Sequence, residues 1–201
     1  MASIDRVVTS GIFSLDGEDF DVDNNIWLVG DERDVFVIDA AHDHRPILAG
    51  IGDRAVKGII CTHAHNDHIN AAADLADATG APILLHPDDT MLWEAVYPDR
   101  RADDALRDGA TLTVGNHELT VLHTPGHSPG GVCLSLAADG VVFSGDTLFN
   151  GGPGATGRSF SSHETLVDSI KRKLLGLPEA TVVHTGHGDS TTIGAEIPHI
   201  V

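Results

Sequence analysis

Residues 62–68 read Thr-His-Ala-His-Asn-Asp-His and follow directly on the apolar run Val56–Cys61. Three imidazoles and a carboxylate in seven positions are more than a turn needs. They require this segment to leave a strand and carry several metal-capable side chains into one region. In an extended segment residues two apart point the same way, so His63 and His65 can address one ion. Asp67 and His68 come where the chain turns into a helix, and adjacent side chains diverge enough there to serve a second. Spacing alone therefore suggests two metals. Imidazole and carboxylate donors suit zinc, iron or manganese, and the absence of a thiolate weakens a purely structural zinc site.

Four more candidates follow downstream, each in a glycine-flanked turn after a strand-like run. They are His127 in TPGHSPGG, Asp146 in FSGDTLF, and His187 with Asp189 in HTGHGDS. Glycine lets the backbone bend tightly and approach a ligand, so such turns recur at strand ends that carry chemistry. One alone would be an ordinary turn; their conjunction points to a dinuclear centre.

The surrounding chain supplies a scaffold. Residues 6–15, 24–30 and 35–40 read as an antiparallel meander, separated by the turn-forming clusters 16–23 and 31–34. A short helix is predicted near Pro46 to Gly52, a strand over 57–62, and a helix over 67–80 stopped by Gly80. Another strand and short helix precede a second series of strands between 110 and 149. A helix capped by Ser161 or Ser162 leads to a last strand at 181–186 and a short tail. Strands in blocks with helices between and after them predict two packed sheets with helices outside. A single domain over 1–201 is expected. Cys61 and Cys133 sit in apolar runs and read as buried small hydrophobes, not as a disulfide.

In this order, THAHNDH, PGHSPGG, SGDTLF and TGHGDST span nearly the whole chain and resemble the metallo-β-lactamase superfamily, specifically its glyoxalase II-like hydrolases. The resemblance implies an α+β fold, a four-layer αββα sandwich with the site at one edge. It implies that His63, His65 and His127 hold one metal, that Asp67, His68 and His187 hold the other, and that Asp146 bridges both. Asp67 and Asp146 are the catalytic carboxylates of this reading. Asp189 has no place in the pattern and reads as a turn residue.

The implied cofactor is a pair of divalent ions, zinc first, with iron or manganese as alternatives. Two such ions about 3.5–4 Å apart can share and acidify a water while one polarises the electrophile. A thiolate leaving group, with a conjugate-acid pKa of about 8.5, departs without a strong proton donor. The expected reaction is hydrolysis of a thioester of a low-molecular-weight thiol. The alternatives are a persulfide dioxygenase with one iron on His63, His127 and Asp146, a lactonase, and a non-catalytic metal-binding module. His187 favours a hydrolase because it completes the second donor set. The C-terminal helical domain of long glyoxalase II proteins, which carries much of their glutathione site, is not expected in a single-domain reading of 1–201. That leaves room for another thiol carrier, such as an acyl-mycothiol. The family's GRTD segment is GRSF here, with Arg158 at the matching position.

Twelve Lys and Arg against 30 Asp and Glu give a net charge of −18, which repels polyanions and excludes nucleic acid as an expected partner. No run approaches the roughly 18–20 apolar residues of a membrane span, and the first ten residues lack signal-peptide character, so a cytoplasmic location without membrane contact is expected. His42, His44, His86, His117, His123, His163, His184 and His199 read as surface or hydrogen-bonded residues; His163, after the glycine loop 150–157, is the one that could face a substrate. Asp39 is either a turn residue or an orienting partner for a ligand histidine. Trp27, Trp93 and Tyr97 read as packing residues.

Overall fold

Strands that are apolar on both faces must be covered on both, and this sets the layering. The computed structural model describes residues 1–200 and opens with β1 (Ser3–Leu15), β2 (Glu18–Gly30) and β3 (Asp34–Ile38), followed by α1 (His44–Ile51) and β4 (Ala55–Ile60). Alternate side chains enter different cores. Ile26, Leu28, Val35, Val37 and Ile59 face one side, while Trp27, Val29, Phe36, Ile38 and Ile60 face the other. α2 (Asn66–Ile69), α3 (Ala72–Thr79), β5 (Ile83–Leu85), α4 (Thr90–Val96) and β6 (Asp104–Ala105) complete this half. The six strands pair in sequence order, antiparallel from β1 to β3 and parallel from β3 to β6.

The second half begins with a meander of β7 (Thr111–Val114), β8 (His117–His123), β9 (Val132–Leu136) and β10 (Val141–Gly145). A small pair, β11 (Leu148–Phe149) and β12 (Gly152–Pro153), leads into α5 (His163–Lys173), which returns the chain to β13 (Val182–Thr185), parallel to β10. β14 (Thr191–Thr192) and α6 (Ile193–Ile200) follow, and the sheet order is β14-β13-β10-β9-β8-β7. Three apolar layers result. α1, α3 and α4 cover the first sheet, the two sheets meet over Val29, Phe36, Leu119, Val121 and Phe143, and α5 and α6 cover the second sheet over Val142 and Val183. This is the expected αββα sandwich. Cys61 and Cys133 are buried and free, in different layers. Among the described residues no helix is long and apolar enough to cross a membrane.

Three local expectations differ from the structure. The acidic segment 16–23 is not a turn beyond Asp16 and Gly17, whose positive φ angles of 55° and 79° make a two-residue hairpin with Leu15 opposite Glu18. Its other aspartates alternate along β2 on the solvent face, where Ser10 and Ser14 donate to Asp23 and Asp19 at 2.6 Å each. The helix over 67–80 is broken between α2 and α3, where the Ala71 N–H bonds to the Ala40 carbonyl at 3.1 Å. The tail after 190 forms α6 despite Pro198, because Ile193 and Ile200 complete the outer core.

Trp27, Trp93 and Tyr97 pack as expected. The Trp27 indole donates to Thr185 O at 3.0 Å, and its ring stacks on His184 with centroids 4.1 Å apart. Burial pushes the His184 pKa down to about 4. The unfolded chain therefore binds this proton below about pH 6.5 while the folded chain does not until about pH 4, so stability falls as pH drops through that window and is unaffected above it. His184→Phe keeps the stack and should lose less stability between pH 6.5 and 4, measured as a smaller fall in the urea midpoint. Parallel profiles for the two proteins would refute this account of acid sensitivity.

Candidate metal centre

The seven predicted donors hang from both sheets. β4 runs out into His63 and His65, the single turn of α2 carries Asp67 and His68, the β8–β9 connection carries His127, and the chain after β10 and β13 carries Asp146 and His187. Their donor atoms form two groups with a carboxylate between. His65 Nδ1 lies 3.1 Å from His63 Nε2 and 3.0 Å from His127 Nε2. His68 Nε2 lies 3.1 Å from His187 Nε2 and 3.5 Å from Asp67 Oδ2, which is 3.4 Å from His187 Nε2. Asp146 Oδ1 is 3.3 Å from His68 Nε2, and its Oδ2 is 3.6 Å from His127 Nε2 and 3.4 Å from His187 Nε2.

These separations fit ligation. Tetrahedral donors at about 2.0–2.1 Å from one ion stand roughly 3.3 Å apart. In His63, His68, His127 and His187 a partner at Nδ1 turns Nε2 into the cluster, whereas His65 presents Nδ1 and its buried Nε2 has no partner. His127 Nδ1 donates to Ala155 O at 2.8 Å and His187 Nδ1 to Asp23 O at 2.8 Å. His68 Nδ1 donates to Asp39 Oδ2 at 2.9 Å, and His63 Nδ1 faces the Thr62 hydroxyl at 3.2 Å. Asp146 Oδ1 and Asp67 Oδ1 are buried without a hydrogen-bond partner, which carboxylate oxygens seldom tolerate unless a cation takes the place of a donor. The clusters fit a dinuclear metal site.

The two groups differ electrostatically. Burial opposes a charge on His187, yet Asp146 and Asp67 beside it hold its pKa up at about 10, and His68 is raised against its burial by Asp146, Asp67 and Asp39. At the other end burial and neighbouring imidazoles push His65 down to about 3 and hold His63 well below the usual range. Burial works against an ionised Asp146, but His68 and His187 outweigh it and keep the carboxyl well below its ordinary value.

Supporting residues fix each group. Asp39, buried and with φ of 59°, accepts from Thr62 N and Thr62 Oγ1 at 2.7 Å each as well as from His68, so it is an orienting partner and not merely a turn residue. Asn24 donates to Asp67 Oδ2 at 3.1 Å and contacts His42 Nε2 through its carbonyl at 2.8 Å. Beside His65 and His127 a partly apolar pocket opens between the β1–β2 hairpin and the 154–161 loop, lined by Phe13, Leu15, Ala155, Thr156, Arg158 and Ser159. The glycine loop thus borders the cluster. Arg158 pairs with Glu18 at 2.7 Å and lies over the Phe20 ring.

Other candidates stay outside. Asp189 is an exposed turn residue, and His163 is exposed on the first turn of α5. His86, Asp88 and His123 also come together. The two rings stack at 4.0 Å with planes only 13° apart, so their in-plane lone pairs do not meet at a point, and the group is a packing stack. Asn24 and Asp89, which bond to the donors or their loops, escaped the sequence reading. Asn24 looks like a strand residue, and Pro87-Asp88-Asp89-Thr90 looks like the start of a helix.

A family model, the Metallo-beta-lactamase superfamily, matches residues 20–187. The chain belongs to the metallo-β-lactamase superfamily. Within this superfamily it is 33% identical over 189 residues to the hydroxyacylglutathione hydrolase GloC of Haemophilus influenzae, covering 85% of this chain and 87% of that one. A solved structure of TTHA1623 in a di-iron-bound form is similar with a TM-score of 0.80 and 34% identity, covering 89% of this chain and 94% of the other. ETHE1 from Myxococcus xanthus is similar with a TM-score of 0.76 and 27% identity, covering 96% and 83%. The shared superfamily accounts for the two-sheet frame with the histidine cluster at its edge.

Proposed function

We propose that this metallo-β-lactamase superfamily member is a dinuclear hydrolase that cleaves a thioester of a low-molecular-weight thiol. The observation that carries the reading is the second donor group, Asp67, His68 and His187, assembled in addition to His63, His65 and His127 with Asp146 between them. A centre with one ion needs no such group. Two divalent ions, zinc in this proposal, would be held by these seven side chains and would supply Lewis acidity for activating water and polarising a carbonyl. The chain's own residues do the rest. Asp39, Asp23 and Ala155 hold the imidazoles in one orientation, and the Asn24 amide holds Asp67 as an acceptor. Phe13 and Leu15 offer an apolar wall to the substrate beside His65 and exclude water there. Neither cysteine competes as nucleophile, since burial raises both thiol pKa values. The leaving thiolate needs no proton donor, and the relative GloC, named a hydroxyacylglutathione hydrolase, supports an acylated thiol as the substrate class.

Chelation is expected to lower hydrolysis of a thioester panel by at least about 100-fold, with recovery on adding zinc, because the nucleophile depends on the ions. Hydrolysis that survives complete metal removal would end the proposal. A second reading, a one-iron persulfide dioxygenase on His63, His127 and Asp146, draws support from the way these three side chains line one small cavity. Dioxygen uptake with a persulfide at one iron per chain would establish that reading in place of the first.

A further inference from the structure

Asp89 ends the Pro87–Asp89 turn and stands at the N-cap of α4, where an aspartate ordinarily accepts from the first helical N–H groups. Its side chain makes no such bond. Instead Oδ2 accepts from Ala64 N at 2.9 Å and from Ser128 Oγ at 2.8 Å, and Oδ1 accepts from Gly130 N at 2.5 Å. Ala64 separates His63 from His65, and Ser128 follows His127. One fully buried carboxylate, with no Lys or Arg beside it, therefore ties together the two loops that deliver the three imidazoles of one group. Gly130 is part of the device, because a Cβ there would meet the Asp89 backbone and carboxyl at 2.7–2.9 Å. The other group has its own supports, Asp39 for His68 and Asn24 for Asp67, and Asp89 bonds to none of its residues.

We infer that Asp89 is a positioning residue for one metal only, the ion addressed by His63, His65 and His127, and that it sets that ion's affinity by clamping loops from both sheets at one point. The inference rests on the two-metal reading above. A half-buried or surface cap would have no reason to give up its helix; a clamp does, since losing it would free both loops at once. Replacing an orienting partner behind a metal ligand costs about 10- to 100-fold in metal affinity.

The test is zinc titration of the full chain against a competing chromophoric chelator, with stoichiometry read from metal content. Wild type is expected to take two ions and Asp89→Asn one tightly, the other weakened about 10- to 100-fold. Asn24→Ala, which removes the donor to Asp67, should weaken the opposite ion, which distinguishes a clamp from general damage. Where Asp89→Asn does not fold, Ser128→Ala removes one of the three donors and should weaken the same ion by a smaller factor. Two ions held by Asp89→Asn as tightly as by wild type, or both weakened equally, would overturn the inference. Wild type taking one ion would overturn the two-metal reading instead, and Asp89 would then stand or fall on whether its replacement weakens that ion.

Discussion

Asp146→Asn is expected to lower thioester hydrolysis about 1,000-fold or more, equivalent to about 4 kcal/mol of transition-state stabilisation. Its carboxylate reaches both donor sets, Oδ2 standing between His127 of one and His187 of the other while Oδ1 faces His68. An amide of the same shape keeps one oxygen and turns an NH2 donor toward the other side, where a cation would stand. Both halves of the site suffer from a single change, and half of the negative charge that balances the ions between Asp67 and Asp146 is lost. Asp189→Asn, in an exposed turn, should alter activity less than about twofold, as surface substitutions generally do. Steady-state kinetics on both variants, with metal content measured alongside, checks the assignment; equal losses would mean the donors are wrongly identified.

Gly186→Ala should be nearly as damaging without replacing any donor. A Cβ at this position would occupy space now held by Asp146 Oδ1, His68 Cε1 and the Gly145 carbonyl carbon. The backbone cannot retreat, because Gly186 N donates to Gly145 O at 2.9 Å and Gly186 O accepts from Asn25 N at 2.8 Å. The methyl must therefore displace the carboxylate or the imidazole. Overpacking of this kind costs about 1–3 kcal/mol in stability, and displacement of Asp146 should lower activity at least about 100-fold, since positioning errors near 1 Å have that effect. Retention of full metal content and activity in Gly186→Ala would show that the close approach is dispensable.

Some of this was legible in the sequence and some was not, for physical reasons. The continuous apolar runs Ile26–Val29 and Val35–Ile38 announce strands buried on both faces, and the glycine-flanked His127, Asp146 and His187 announce strand-end turns. Those signals are local. The hairpin over 16–23 was obscured because its aspartates alternate on a solvent face, so composition suggested a loop where period two would have suggested a strand. Asp89 was obscured for a deeper reason: an aspartate before a helix looks like a cap, and only the folded chain reveals that its carboxylate points to loops 25 and more residues away in sequence. Asp39 at a strand end fits a turn and an orienting role equally in sequence, and only the fold sets His68 Nδ1 2.9 Å from its carboxylate.

The donors run from residue 63 to residue 187 and belong to strands on opposite sides of the inter-sheet core. No part of the chain that folds early can hold an ion with the full set, because the cavity comes into being only when the two sheets dock. An ion caught there acts as a rivet fitted last. Because such an ion binds the docked sheets and not the unfolded chain, it stabilises the native state by mass action, and loaded protein is expected to unfold at higher denaturant than stripped protein.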